Sequence, residues 1–332
     1  MKKRALVLGV NGQDGSYLAE LLLDKDYEVH GLLRRSATGN TRNIDHILDK
    51  IQVHYGDLTD PVSLYQVIDG VRPAEIYNEA DQDHAGLSFK IPSYNFDVTG
   101  SAVGRLLEII RTVDRSIRFF QPVTSNIFGQ VADCPQNETT PFNPVNPYAC
   151  AKVFAYHLCH MYRRVYDMHV SVAIFYNHES PRRTEEYVTR KITRTVARIK
   201  AGTQQKLQLG DMTALIDWGY APEFMEAAWK IVQLDTPETF VIGTGEVLSV
   251  KDFVETAFSR AGLDHERHVE SSSGLLRPGR NAVLQADTTK AREAFGFRPQ
   301  VKGKDIVTIM VDHDLHELGV AAPAAQPGPV PQ

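Results

Sequence analysis

The sequence predicts an α/β protein built on a doubly wound parallel sheet, with a smaller and less regular C-terminal domain laid over its edge. Three observations carry that prediction. A continuous apolar run at residues 4–10 enters a turn with glycines at 9, 12 and 15, and a helix follows with Leu18, Leu21 and Leu22 on one face. Strand-like and helix-like segments then alternate as far as about residue 176. The chain is 332 residues long, enough for one large α/β unit or two closely joined domains. Strands covered by helices on both faces need uninterrupted apolar runs, and an intervening helix is what allows the next strand to join in parallel.

The elements follow in order. The strand–glycine turn–helix opening has the context of a Rossmann-type dinucleotide site, in which glycines let the backbone approach a pyrophosphate and the helix N-terminus faces the anion. Its spacing is Gly9-x-x-Gly12-x-x-Gly15, with Asp14 inside the turn. A second strand at residues 27–33 ends at Arg34-Arg35-Ser36. An acid there suits the ribose hydroxyl of NAD and an arginine suits the 2′-phosphate of NADP; a solvated basic turn is the plainer alternative. A strand at 51–55 runs into Gly56-Asp57-Leu58, a helix follows at 61–70, a strand at 75–78, a long helix at 94–111 and a strand at 117–123. Asn146 is a good N-cap and Pro147 a good first residue for the next helix, which places Tyr148 and Lys152 four apart on one face of its opening turns. After a strand at 170–175, helices are expected at 186–200 and 221–233, a strand at 239–242, and a helix opening at Ser249. The expected division is 1–176 for the dinucleotide domain with its Tyr/Lys pair and 177–320 for a mainly substrate-binding domain with segments returning to the sheet. Residues 321–332, rich in Ala, Pro and Gln, form an expected disordered tail.

Ligands of such sheets bind at the carboxyl ends of strands, where Asp57, residues 78–84 and residues 124–126 fall. A neighbouring ammonium favours a phenolate, so Tyr148 beside Lys152 is expected to act as an acid/base near neutral pH. Other classes fit poorly. With 42% hydrophobic and 23% charged residues and a net charge of −5, no basic stripe suggests nucleic acid or a membrane surface. The N-terminal apolar run is too short for a signal peptide, and a cytoplasmic location is expected. The cysteines, Cys134, Cys150 and Cys159, are three and scattered, as reduced thiols are. No metal site is expected, because His157, Cys159 and His160, like His313 and His316, lack partners at ligand spacing. Arg182, Arg183, Arg190, Lys191, Arg277 and Arg280 suit an anionic substrate such as a nucleotide sugar, or equally a solvated surface.

Several strings go further. N-G-Q-D-G-S-Y-L-A-E-L-L-L at 11–23, H-Y-G-D-L-T-D at 54–60, N-H-E-S-P-R-R at 177–183, V-T-R-K-I-T-R at 188–194 and D-W-G at 217–219 give the chain a resemblance to the GDP-mannose 4,6-dehydratases of the extended short-chain dehydrogenase/reductase superfamily, from about residue 3 to 315. The resemblance implies NADP bound by Gly9, Gly12, Gly15, Asp14, Arg34, Arg35, Asp57 and Leu58. It implies catalysis by Thr124, Tyr148 and Lys152, and a GDP-sugar held by Asn177, Lys191 and Arg277. It also implies a homodimer or homotetramer. In that chemistry Tyr148 takes the C4 hydroxyl proton as hydride leaves C4, and Thr124 bonds the C4 oxygen.

The departures are local. Where the family has T-S-E, with the glutamate taking the C5 proton, this chain has Asn126, a neutral amide that cannot accept a proton. Where the family reads close to N-L-A-A-Q-S-H, the chain has Asn78-Glu79-Ala80-Asp81-Gln82-Asp83-His84, and Ile216 replaces an arginine. If the strand continued past Asn78, Glu79, Asp81 and Asp83 would share one side of it. Three readings follow. An oxidoreductase or epimerase acting at C4 of a GDP-hexose is placed first, a 4,6-dehydratase with a substitute base second, and a catalytically silent cofactor-binding relative third.

Overall fold

The computed structural model of the protein describes residues 2–37, 39–272 and 283–321. Among the described residues, twelve strands run in chain order as β1 (Arg4–Leu8), β2 (Glu28–Leu33), β3 (Gln52–Tyr55), β4 (Glu75–Asn78), β5 (Arg118–Thr124), β6 (Val170–Phe175), β7 (Asn177–Glu179), β8 (Leu207–Leu209), β9 (Leu215–Tyr220), β10 (Thr239–Ile242), β11 (Val247–Ser249) and β12 (Val269–Ser271). Seven of them form one sheet in the order β10-β6-β5-β4-β1-β2-β3, with every neighbouring pair parallel. The chain starts in the middle and winds outward both ways, so the order reverses beside β1, where the glycine turn lies.

Alternation along β1 explains the two cores. Leu6 and Leu8 point to one face, where they join Leu64, Leu106, Ala155 and Cys159 of the helices Pro61–Val71, Ala102–Val113 and Pro147–Tyr166. Ala5 and Val7 point to the other, against Leu18, Leu22, Phe224 and Ile231 of the helices Gln13–Asp24 and Ala221–Gln233. A third core, with Ile192, Val196, Phe253, Met310 and Leu315, fills the smaller C-terminal lobe between the helices Val188–Lys200, Val250–Arg260 and Lys304–Glu317. Two small sheets, β11-β9-β7 and β12-β8, belong to that lobe. Strand β10 and the helix before it return to the main sheet. No helix among the described residues is long and apolar enough to cross a membrane.

Two local expectations are corrected. The helix read at 94–111 begins at Pro92, and its residues Phe96–Ser101 form a wider π turn before regular α-helix resumes at Ala102. Thr99 and Asn95 on this run hold Gln82: the Gln82 backbone N–H donates to Thr99 Oγ1 at 3.3 Å, and Asn95 Nδ2 donates to Gln82 Oε1 at 2.7 Å. Strand β4 stops at Asn78, so residues 79–84 are an irregular segment pinned by Gln82 rather than a continued strand.

Candidate functional site

The glycine turn is shaped by steric need. Gly9 has a φ of +74°, which favours glycine, and a Cβ on Gly15 would lie 2.3 Å from the Gly9 carbonyl oxygen. The helix Gln13–Asp24 therefore starts directly against the turn, with its first N–H groups facing the carboxyl edge of the sheet. At the end of β2, Arg34 donates to the Tyr94 hydroxyl at 2.6 Å, while Arg35 is exposed and makes no ion pair among the described residues. Asp57 after β3 closes an Asx turn, accepting from the Thr59 N–H at 2.8 Å and its hydroxyl at 2.7 Å; Leu58 is buried and its carbonyl accepts from Arg105.

Strand β5 ends at Thr124, and the helix Pro147–Tyr166 packs beside it, capped as its sequence suggests: Asn146 accepts from the Ala149 N–H at 2.8 Å. Thr124, Tyr148 and Lys152 are all buried. Thr124 Oγ1 accepts from the Asn126 side-chain amide at 3.0 Å and its backbone N–H at 3.2 Å, which leaves the threonine O–H to donate to a ligand. Lys152 donates to the Pro122 carbonyl at 2.9 Å and pairs with Asp81 at 2.5 Å.

That ion pair sets the charge beside Tyr148. The phenol lies well above its ordinary value, chiefly through burial and then through the carboxylates of Asp81 and Asp83. The Lys152 ammonium, 5.7 Å from the ring centroid, has its charge answered by Asp81. The three acids do converge on the pocket despite the end of the strand. Glu79 is pushed well up by burial and the neighbouring Asp14, and one of its oxygens is buried without a hydrogen-bond partner. Burial raises Asp81 as well, with Lys152 opposing the rise. Asp83 reaches across to Arg183 at 3.3 Å.

A second charged group meets the glycine turn from the far lobe. His178 donates from Nδ1 to the Tyr176 carbonyl at 2.8 Å and places Nε2 2.9 Å from Asp14. Burial alone would lower His178, but the Asp14 carboxylate holds it above its usual value, and the imidazolium in turn holds Asp14 down against the effect of its own burial. Arg183 lies 3.5 Å from the Tyr187 ring centroid and 3.6 Å from Glu179. The sequence singled out Asn177, Arg182 and Arg183 of the 177–183 string but not His178 or Glu179, and nothing in spacing connects His178 to Asp14 164 residues away. Asn177 opens β7 and Lys191 sits in the first turn of the following helix, both half-buried, while Arg277 and Arg280 lie outside the described residues.

Asp217 of the D-W-G string has a structural task. It is buried and accepts from the Thr244 N–H (2.9 Å) and hydroxyl (2.6 Å), the Gly245 N–H (2.9 Å) and the Ala286 N–H (3.1 Å), tying β9 to the turn after β10 and to the chain returning beyond residue 282.

Known proteins agree with this architecture. The sequence model of the family described as GDP-mannose 4,6 dehydratase matches residues 6–310. The chain belongs to the GDP-mannose 4,6-dehydratase family. It is 44% identical over 326 residues to GDP-mannose 4,6 dehydratase 1 of Arabidopsis thaliana, covering 95% of this chain and 90% of that one. It is 41% identical over 338 residues to the human GDP-mannose 4,6 dehydratase, covering 94% and 91%. Among solved structures, a dTDP-glucose 4,6-dehydratase from Streptomyces venezuelae superposes with a TM-score of 0.84 at 22% identity, covering 95% and 97%. A Thermus thermophilus UDP-glucose 4-epimerase does so at 0.83 and 24%, covering 94% and 98%. These two establish the shared fold. Family membership makes the chain a sugar-nucleotide-modifying enzyme of the extended short-chain dehydrogenase/reductase superfamily.

Proposed function

We propose that the protein is a 4,6-dehydratase of a GDP-hexose of the mannose type, with NADP as its hydride carrier. The observation that carries this reading is likeness to dehydratases over 95% of the chain combined with Thr124, Tyr148 and Lys152 in one buried pocket at the sheet's carboxyl edge. The weight thereby moves from C4 oxidoreduction, placed first on sequence, to the dehydratase alternative.

The glycine turn and the helix behind it suit a dinucleotide pyrophosphate, and exposed Arg35 with Arg34 suits a 2′-phosphate. When bound, the nicotinamide supplies a hydride acceptor for the sugar C4 and, after water is lost, the donor that returns hydride to C6. The chain's own residues manage the protons. Thr124 donates to the C4 oxygen, Tyr148 takes the C4 hydroxyl proton, and Asn177 and Lys191, with Arg277, hold the nucleotide sugar. Asn126 cannot remove the C5 proton. Of the three acids nearby, burial pushes Glu79 well up and Asp81 is held by Lys152; Asp83, whose side chain is 50% exposed and whose charge reaches Tyr148, is the acceptor we assign, and the proton it takes from C5 departs with the C6 hydroxyl as water. The expectation of a homodimer or homotetramer belongs to the same proposal; Tyr94, Phe96 and Phe154, exposed on neighbouring helices, are surface such an assembly would cover.

One observation favours a second reading. With no glutamate at 126, the same Thr124/Tyr148/Lys152 set suffices for C4 oxidation or epimerisation without water loss. Incubation with NADP and GDP-mannose in heavy water separates the two. The dehydratase reading expects a product lighter by one water with deuterium at C5, a rate reduced about 10²- to 10⁴-fold by Asp83→Asn, and partial recovery when Asn126→Glu is added. Interconversion at C4 without water loss would establish the second reading instead. Absence of turnover with NADP still bound would return the silent-relative reading.

A further inference from the structure

The Tyr148/Lys152 pair of this protein carries a third member. Lys152 is 4% exposed and Asp81 14% exposed, and their 2.5 Å contact is closed off by the Pro122 carbonyl on the other side of the ammonium. Asp81 is held in place by its own segment, because Gln82, the next residue, is buried and bound by Asn95 and Thr99. We propose that Asp81 is a positioning residue that captures the Lys152 ammonium and so withholds it from the Tyr148 hydroxyl, making proton transfer at Tyr148 depend on release of the Asp81–Lys152 pair.

The surrounding charges fix the sign of the effect. Tyr148 faces Asp81 and Asp83 from the 79–84 segment and Tyr187 and Arg183 from the segment after β7. Lys152 faces Asp81 and Glu79 from the segment after β4 and the Cys159 thiol on its own helix, while Asp14 of the glycine turn acts on both Glu79 and Asp81. Two cations thus stand against two acids of one short segment, Lys152 with Asp81 and Arg183 with Asp83. An ammonium free of Asp81 would stabilise a phenolate; an ammonium paired with a buried carboxylate presents almost no net charge to it. In the free protein Tyr148 is therefore a proton donor at neutral pH. It becomes a base only when a bound ligand draws Lys152 away, or when the pH is high.

The inference rests on the reading of Tyr148 as the proton-transfer group, yet its test needs no substrate. The chain has 13 tyrosines, so Tyr148 is isolated by subtracting the ultraviolet phenolate titration of Tyr148→Phe from that of each protein, over the pH range in which circular dichroism shows both folded. Asp81→Asn is expected to move Tyr148 ionisation down by about one to two pH units. The pH–rate profile for any sugar nucleotide that turns over should move the same way. Asp81→Ala, which removes the group altogether, is the second variant if the amide does not fold. An Asp81→Asn titration superimposable on the wild type would overturn the proposal. In a Lys152→Met background only the direct repulsion between Asp81 and the phenolate remains, so the shift caused by Asp81→Asn should be clearly smaller than in the wild type; an undiminished shift there would overturn the role assigned through the lysine. Failure of the dehydration assay with the titration shift intact would count against the proposed reaction alone.

Discussion

Lys152→Met removes the ammonium from Asp81 and from the Pro122 carbonyl while keeping an unbranched apolar chain in its place. What remains is a carboxylate whose side chain is 14% exposed and whose other charged neighbours are the acids Asp14 and Asp83. An unpaired buried charge costs about 3–5 kcal/mol. The carboxyl can escape by binding a proton, and each pH unit between the ordinary aspartate pKa and the solution pH limits the penalty to about 1.4 kcal/mol, so about 4 kcal/mol is the ceiling at pH 7 and about 1.5 kcal/mol at pH 5. The sign follows from a folded-state pKa lifted above the unfolded one: the penalty is absent below the unfolded pKa and grows as pH rises towards the folded value. Urea denaturation at pH 5 and 7 should show a loss of stability about 2 kcal/mol larger at the higher pH, and Asp81→Asn added to Lys152→Met should recover most of it. Equal losses at both pH values, or no recovery in the double variant, would refute the assignment of Asp81 and Lys152 as a closed buried pair.

Three further outcomes follow from the same geometry. Asp217→Asn leaves one or two of the N–H groups of Thr244, Gly245 and Ala286 facing an amide that cannot accept from them all, and should cost about 2–4 kcal/mol in urea denaturation; a loss under 1 kcal/mol would show that Asp217 is dispensable to this junction. Gly15→Ala places a methyl 2.3 Å from the Gly9 carbonyl oxygen and should weaken dinucleotide binding at least about tenfold in a fluorescence titration. Arg34→Ala/Arg35→Ala should reduce NADP affinity about 10- to 100-fold with NAD affinity unchanged, and equal losses for both would argue against a 2′-phosphate site.

Much of the sheet was legible because buried parallel strands announce themselves: the runs at 4–10, 27–33, 117–123 and 170–175 are apolar on both faces, and Asn146-Pro147 is a start signal that the structure honours with a side-chain cap. The glycine turn was legible for a steric reason, since Gly9 and Gly15 occupy places closed to any Cβ. The protonation state of Tyr148 was not. A spacing of four residues brings Lys152 beside Tyr148, but the group that decides the charge of the pair arrives from 71 residues earlier in the chain, on a segment whose path is set by Asn95 and Thr99. The same holds for His178 and Asp14, joined only when the lobe after β6 folds back on the glycine turn. The π turn at Phe96–Ser101 likewise has no signature in the apolar periodicity that marked the helix.

The reaction itself is tested most directly by following one hydride. GDP-mannose carrying deuterium at C4 is incubated with the protein and a catalytic amount of NADP in ordinary water, and the label is located in the product by nuclear magnetic resonance. A dehydratase that removes hydride from C4, loses water across C5 and C6 and returns the same hydride gives a 4-keto-6-deoxy sugar with deuterium at C6. Deuterium found in accumulated reduced dinucleotide, or returned to C4 of an unchanged or epimerised sugar with no water lost, would contradict the account.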